Sequence, residues 1–209
     1  MNLKRKWGLA LMIGVTTLAV SCKKEPAERT YSLNNNLSTA TWKGYKTDAT
    51  YNEGTIGVQS SDILVKNGMV VSGSFDMPLS TLKNLNLPTQ ELKEQLIHHL
   101  KTADFFNMAL YPSVSFRIGS VATYSCGVST AIAGANYTVT GDFTMLGKPL
   151  QVSFPAKIEV NDGTISVDAV LKIDRTRWGM SYGTADTLTP EMKIMPEVGI
   201  ELHLRGDRR

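Results

Sequence analysis

From Tyr31 onward, apolar side chains recur at every second position, the period of a strand with one buried and one wet face. Over 137–145, Tyr137, Val139, Gly141, Phe143 and Met145 share one face, and Thr138, Thr140, Asp142 and Thr144 share the other. The same alternation sets Val152, Phe154, Ala156, Ile158 and Val160 against Gln151, Ser153, Lys157 and Glu159. It also sets Ile165, Val167, Ala169, Leu171 and Ile173 against Ser166, Asp168, Lys172 and Asp174. Near the C-terminus, Met192, Ile194, Val198, Ile200, Leu202 and Leu204 fall in one phase, and Glu191, Lys193, Glu197, Glu201, His203 and Arg205 in the other. Further strands are expected over 39–46, 55–65, 69–77 and 113–124. Turns are expected at Lys66-Asn67-Gly68, Leu146-Gly147-Lys148-Pro149 and Asn161-Asp162-Gly163. In the last, Asp-Gly is expected to supply the positive φ angles of a tight hairpin. One apolar and one wet face fit an antiparallel sheet rather than alternating strands and helices. Strands numbering about eight can close into a barrel with no exposed edge, and a two-sheet sandwich is the alternative.

One stretch follows a different period. After Pro88, Leu92, Leu96 and Leu100 recur every fourth residue and define one face of an amphipathic helix. Thr89 is a suitable N-cap, Glu91 lies in the first turn, and His98, His99 and Lys101 lie in the last, charges that suit both ends of the helix dipole. This helix is expected to cover one opening of the barrel. The inward phase mixes large residues (Trp42, Phe75, Phe143, Phe154) with small ones (Gly73, Gly141, Ala169), which are expected to leave room along the axis. Phe105, Phe106, Tyr111 and Phe116 form a further aromatic cluster. In a barrel of this size the interior is either filled or holds one slender ligand, so core and ligand wall are the same surface.

The N-terminal residues read as an address. Lys4, Arg5 and Lys6 precede an apolar run from Trp7 to Val20, which ends in Leu18-Ala19-Val20-Ser21-Cys22. The run has the length of a signal-peptide core and is short for a membrane span. Its end resembles a bacterial lipobox, so residues 1–21 are expected as a signal peptide, Cys22 as an acylated N-terminus and 22–30 as a tether. Ordinary secretory cleavage after Ser21 is the alternative, with Cys22 then a thiol that could bond Cys126. Lys23, rather than Asp, follows Cys22, which points to the outer membrane of a bacterial envelope, facing the periplasm.

Charge and motifs narrow the function. The formal net charge is +3 over 209 residues, and Lys4, Arg5 and Lys6 account for it, leaving the chain from Cys22 onward neutral. Such a chain has no cation surplus with which to replace nucleic-acid counterions. Two Cys and three His make a zinc cluster improbable, and the adjacent His98 and His99 diverge on a helix. No H-E-x-x-H, G-x-S-x-G, P-loop or G-x-G-x-x-G is present. Asp104, Asp142 and Asp174 each have an ordinary structural role available: a cap or turn acceptor, strand surface, and the partner of an Arg. No nucleophile with its base is identified, so the expectation is a protein with no catalytic residues, no metal and no cofactor; a hydrolase or isomerase using Asp104, Asp174 or Cys126 is the minority alternative. The segment Asp174-Arg175-Thr176-Arg177-Trp178-Gly179-Met180 has two readings: a strand end with an Arg–Asp pair and a Trp plug, or a pocket rim where Arg175 or Arg177 meets an anionic head group.

Four motifs in order then carry a resemblance. They are Thr41-Trp42-Lys43-Gly44 with Tyr51-Asn52-Glu53-Gly54-Thr55-Ile56; Lys101 to Asn107 with Tyr111-Pro112-Ser113-Val114-Ser115-Phe116; Tyr137 to Lys148; and Ile173 to Met180. Together they resemble the YceI family of polyisoprenoid-binding, lipocalin-like periplasmic proteins, over about residues 31–205. The resemblance implies a mainly β fold, an extended eight-stranded antiparallel lipocalin-like barrel with an elongated apolar tunnel, and binding or transport of an isoprenoid or similar long-chain lipid there. The wall is expected to comprise Trp42, Phe75, Phe105, Phe106, Phe116, Val139, Phe143, Phe154, Leu171 and Trp178. Asn52-Glu53-Gly54 stands where the family often carries a His, so no role is carried over to that position. Besides lipid and membrane, the partner considered is a second copy of the chain. The competing expectation is a filled barrel that binds partners or serves structure.

Overall fold

The computed structural model describes residues 27–125 and 132–209; Cys22, Cys126 and the expected signal peptide lie outside them. The strands are β1 (Glu28–Leu33), β2 (Thr39–Lys46), β3 (Tyr51–Gly57), β4 (Gln59–Ser60), β5 (Ile63–Lys66), β6 (Met69–Ser72) and β7 (Ser74–Pro78), then β8 (Lys83–Asn84), β9 (Ser113–Thr123), β10 (Tyr137–Met145), β11 (Lys148–Val160), β12 (Thr164–Asp174) and β13 (Ile194–Arg208). Among the described residues one α-helix, α1 (Gln90–Lys101), interrupts them. All pairings are antiparallel, and β7, β9, β10, β11, β12 and β13 follow one another around a curled sheet.

The circuit closes because two runs change partners along their length. β6 and β7 are one extended run broken at Gly73: β6 pairs with β5, and β7 pairs with β9. The fifteen-residue β13 pairs along one edge with β12. Its other edge is shared, β2 taking the first part up to His203 and β1 the last residues. β1 in turn pairs with β5, and β2 with β3. Mainly β, antiparallel, curled into a barrel and carrying one helix, the fold is the one expected. The number of segments is larger because bulges and bends divide the long runs.

Several expectations change in detail. The stretch anticipated as tether ends earlier, since Glu28, Arg29 and Thr30 already pair with β5. The C-terminal run does not extend inward to Met192, which precedes β13 and is 61% exposed. The register against β2 shifts between Ile194 and Val198, around Pro196, which has no N–H to give a ladder. Asn67 and Gly68 both take positive φ, as a tight hairpin requires. The Asp162-Gly163 corner does not: neither residue has positive φ, and the turn is closed by Asn161 N–H donating to the Thr164 carbonyl at 2.9 Å.

The core lies inside the curl. Tyr31, Ile63, Leu79, Ile165, Val58 and Val65 are its largest fully buried side chains. Burying such a side chain stabilises by roughly 1.5–3 kcal/mol. Tyr31 is accommodated because its hydroxyl donates to the Asn161 carbonyl at 2.6 Å. Gly141 was expected to leave axial space, but the ring of Phe116 occupies that space. A Cβ on Gly141 would lie 2.6 Å from Phe116 Cζ and collide with the Arg117 carbonyl oxygen, where the β9–β10 register shifts. Glycine is thus needed for the close approach of two strands at a bulge.

Candidate functional site

The interior holds two chambers. The larger, about 160 Å³, lies at the end of the barrel where β13 begins. Its wall includes Ala40, Thr41 and Trp42 of β2, Ile56 of β3, Ile173 of β12, and Val198 and Ile200 of β13. The smaller, about 60 Å³, lies toward the other end, among Val58, Ile63, Val70, Ile158, Ile165, Leu202 and Leu204. Met77, Phe143 and Ile200 belong to both walls, so these three apolar side chains stand between the chambers.

Local sequence explains the lid. Thr89 caps α1, its hydroxyl oxygen accepting from Leu92 N–H at 3.3 Å. Leu96 and Leu100 then face the larger chamber, as does the following Phe105-Phe106 pair. Leu92, expected on the same face, is instead exposed. Phe105 is held against His99 and Tyr182, with ring centroids 5.1 and 5.2 Å away. His99 Nε2 lies 2.9 Å from an Asp104 carboxylate oxygen. His99 therefore braces the lid, and Asp104 is its partner.

The expected wall residues separate cleanly. Trp42, Phe105 and Phe106 line the larger chamber. Phe75, Phe116, Val139, Phe154 and Leu171 line the smaller, and Phe143 lines both. Trp178 lines neither. It is buried behind Phe143, meets that ring edge-on at 5.7 Å, and its Nε1–H donates to the Phe143 carbonyl at 3.1 Å. It supports the partition from outside.

Arg175 is buried, 3% exposed, and lines the larger chamber. Its guanidinium donates to four backbone carbonyls: Met180 at 2.7 Å, Tyr182 at 2.8 Å, and Ile194 and Met195 at 3.3 Å each. It thereby fastens the 180–195 loop to the end of β12. No Arg–Asp pair forms there: Asp174 accepts from the Thr176 N–H at 2.9 Å and hydroxyl at 2.6 Å, which draws its carboxyl below the usual range. Burial pushes the Arg175 guanidinium down from its ordinary value, with the Asp174 charge opposing. Arg177 is exposed and lies over the Trp178 ring, 5.9 Å from its centroid. Trp42 has a further property that sequence does not show: its indole Nε1 is buried without a hydrogen-bond partner among the described residues.

The catalytic and metal alternatives gain no constellation. Asp142 is exposed on β10, and His203 lies on the wet face, 3.0 Å from Asp168 and 3.3 Å from Glu201. No group of three or more His, Cys, Asp or Glu side chains suited to a metal occurs among the described residues. No described helix is long and apolar enough to cross a membrane, which leaves strands unaddressed.

An antiparallel sheet curled around two apolar chambers, with a helix over one end, is a lipocalin-like architecture. The chain belongs to the YceI-like domain family, whose model matches residues 31–205. No curated protein matches it. Solved structures of similar fold include BcnA of Burkholderia cenocepacia, 20% identical, covering 83% of this chain and 98% of that one with a TM-score of 0.61. A polyisoprenoid binding domain from Saccharophagus degradans, implicated in plant cell wall breakdown, is 11% identical and covers 86% and 98%, with a TM-score of 0.60. The YceI protein of Campylobacter jejuni is 14% identical and covers 99% of both chains, with a TM-score of 0.51.

Proposed function

We propose that this chain binds an isoprenoid or similar long-chain amphiphile in its tunnel and acts as a non-enzymatic carrier in a bacterial envelope. The observation that carries this reading is the apolar path from the lid to the far chamber, interrupted only by Met77, Phe143 and Ile200. A hydrocarbon buried there gains about 0.8 kcal/mol per methylene, so a long chain binds tightly without polar contacts. Membership of the YceI-like family supports the same ligand class, as does the likeness in fold to a polyisoprenoid binding domain.

Residues 1–21 serve in this reading as a signal peptide, and Cys22 carries the acyl anchor at the outer membrane, with the barrel in the periplasm. The test is organic extraction of the purified protein followed by mass spectrometry, then titration of the emptied protein with polyprenols. A lipid in the extract and saturable uptake are expected. An empty protein that also refuses polyprenols overturns the reading.

A further inference from the structure

The larger chamber is almost wholly apolar, so a ligand's polar end has to lie at its rim. The two charged residues in its lining, Lys46 and Arg175, are both cations, and no acidic residue lines it. Lys46 is half-exposed at the end of β2 and forms no ion pair within 4 Å among the described residues. The acids whose charge reaches it are Asp48, held by the Thr50 hydroxyl and N–H, and Glu191. Arg175 has no carboxylate within ion-pair distance among the described residues: its hydrogen bonds go to carbonyls, and the charge of neighbouring Asp174 reaches it without contact.

We infer that the amphiphile taken up here carries an anionic head, a phosphate or carboxylate, held at the rim by Lys46 in the field of Arg175 while its tail runs toward the far chamber. This rests on the carrier reading and narrows it. Two cations and no acid in the lining favour a negatively charged acceptor over a neutral alcohol, since a hydrogen bond to a charged group is stronger than one between neutral groups.

The experiment compares farnesyl monophosphate with farnesol by displacement of a fluorescent apolar probe from the full chain, with inorganic phosphate as a third ligand. Farnesyl monophosphate is expected to bind about tenfold tighter than farnesol, the scale of one partly exposed charge-assisted bond. Lys46→Gln is expected to remove most of that preference by lowering farnesyl monophosphate affinity toward that of farnesol. Lys157→Gln, on β11 away from the rim, is expected to leave it intact. Equal affinity for the two prenyl ligands overturns the head-group inference and leaves the carrier reading standing, whereas binding of neither removes both. Inorganic phosphate binding as tightly as farnesyl monophosphate, or Lys157→Gln acting like Lys46→Gln, also overturns it, as an anion site without a tail or a general charge effect.

Discussion

If a chain occupies the interior as proposed, Met77 is expected to decide how long a chain is accepted. It is a buried, unbranched side chain in the wall of both chambers, beside the aromatic Phe143 and the branched Ile200. A thioether with three rotatable bonds yields more readily than either neighbour. In a homologous series of straight-chain alcohols each added methylene buried should improve Kd about fourfold, the equivalent of about 0.8 kcal/mol. In the unaltered protein that gain is expected to continue past the length that fills the larger chamber, because the chain displaces Met77. Met77→Phe stiffens the partition, and its gain should stop at a shorter chain. Met77→Ala opens the partition and should extend the gain smoothly, at a stability cost of about 2–3 kcal/mol from the lost side chain. Probe displacement across the series, with melting temperatures to confirm folding, measures all three profiles. Superimposable profiles would show that the two chambers are not one path and would refute the tunnel.

Arg175→Met is expected to cost about 3 kcal/mol, because four carbonyls lose a charged donor and only those on the exposed side regain water; for a domain of this size that is about 6–12 °C in Tm. The same variant should open the 180–195 loop to limited proteolysis, and a Tm within 2 °C of the parent, an estimate below any lost charged bond, would contradict the pinning role. Asp168 is pushed up by burial, but hydrogen bonds from His203 and Arg205 outweigh this and hold its carboxyl below the ordinary value. A depressed carboxylate stabilises the fold above its unfolded pKa and loses that contribution as pH falls through the folded one. The Tm gap between the parent and Asp168→Asn should therefore be full above about pH 5 and shrink below about pH 4; with solvent screening its size is about 1 kcal/mol. A gap that widens on acidification would reverse the assignment.

Much of this architecture is legible in the amino-acid sequence because half-buried strands write their faces in alternate residues. β10, β11 and β12 begin and end close to where the alternation does. β1 escapes detection because only Tyr31 and Leu33 of its six residues are buried, and charged Glu28 and Arg29 open it. β8 is two residues long and carries no period. The bulge at Pro196 breaks the phase of β13, so Met192 is misplaced by simple extrapolation. Eight of the ten expected wall residues are aromatic and nine of the ten line a chamber, but composition cannot separate a side chain that faces a void from one that backs it, as Trp178 does. The role of Arg175 is likewise hidden, since its partners are carbonyls of a loop that has no pattern of its own. The division into two chambers depends on three rotamers meeting, which no periodicity encodes.

β1 joins the barrel beside the last residues of β13, Tyr31 opposite Arg208, so the described chain begins at the end away from the α1 lid. Should Cys22 bear acyl chains as proposed, the five peptide steps to Ala27 reach about 17 Å at full extension. The fifteen residues of β13 span about 50 Å. An upright molecule moored this way cannot lower its opening into the leaflet that holds it. Cargo would then be exchanged across the compartment, with an opposite bilayer or a soluble acceptor, unless the barrel lies down on its side.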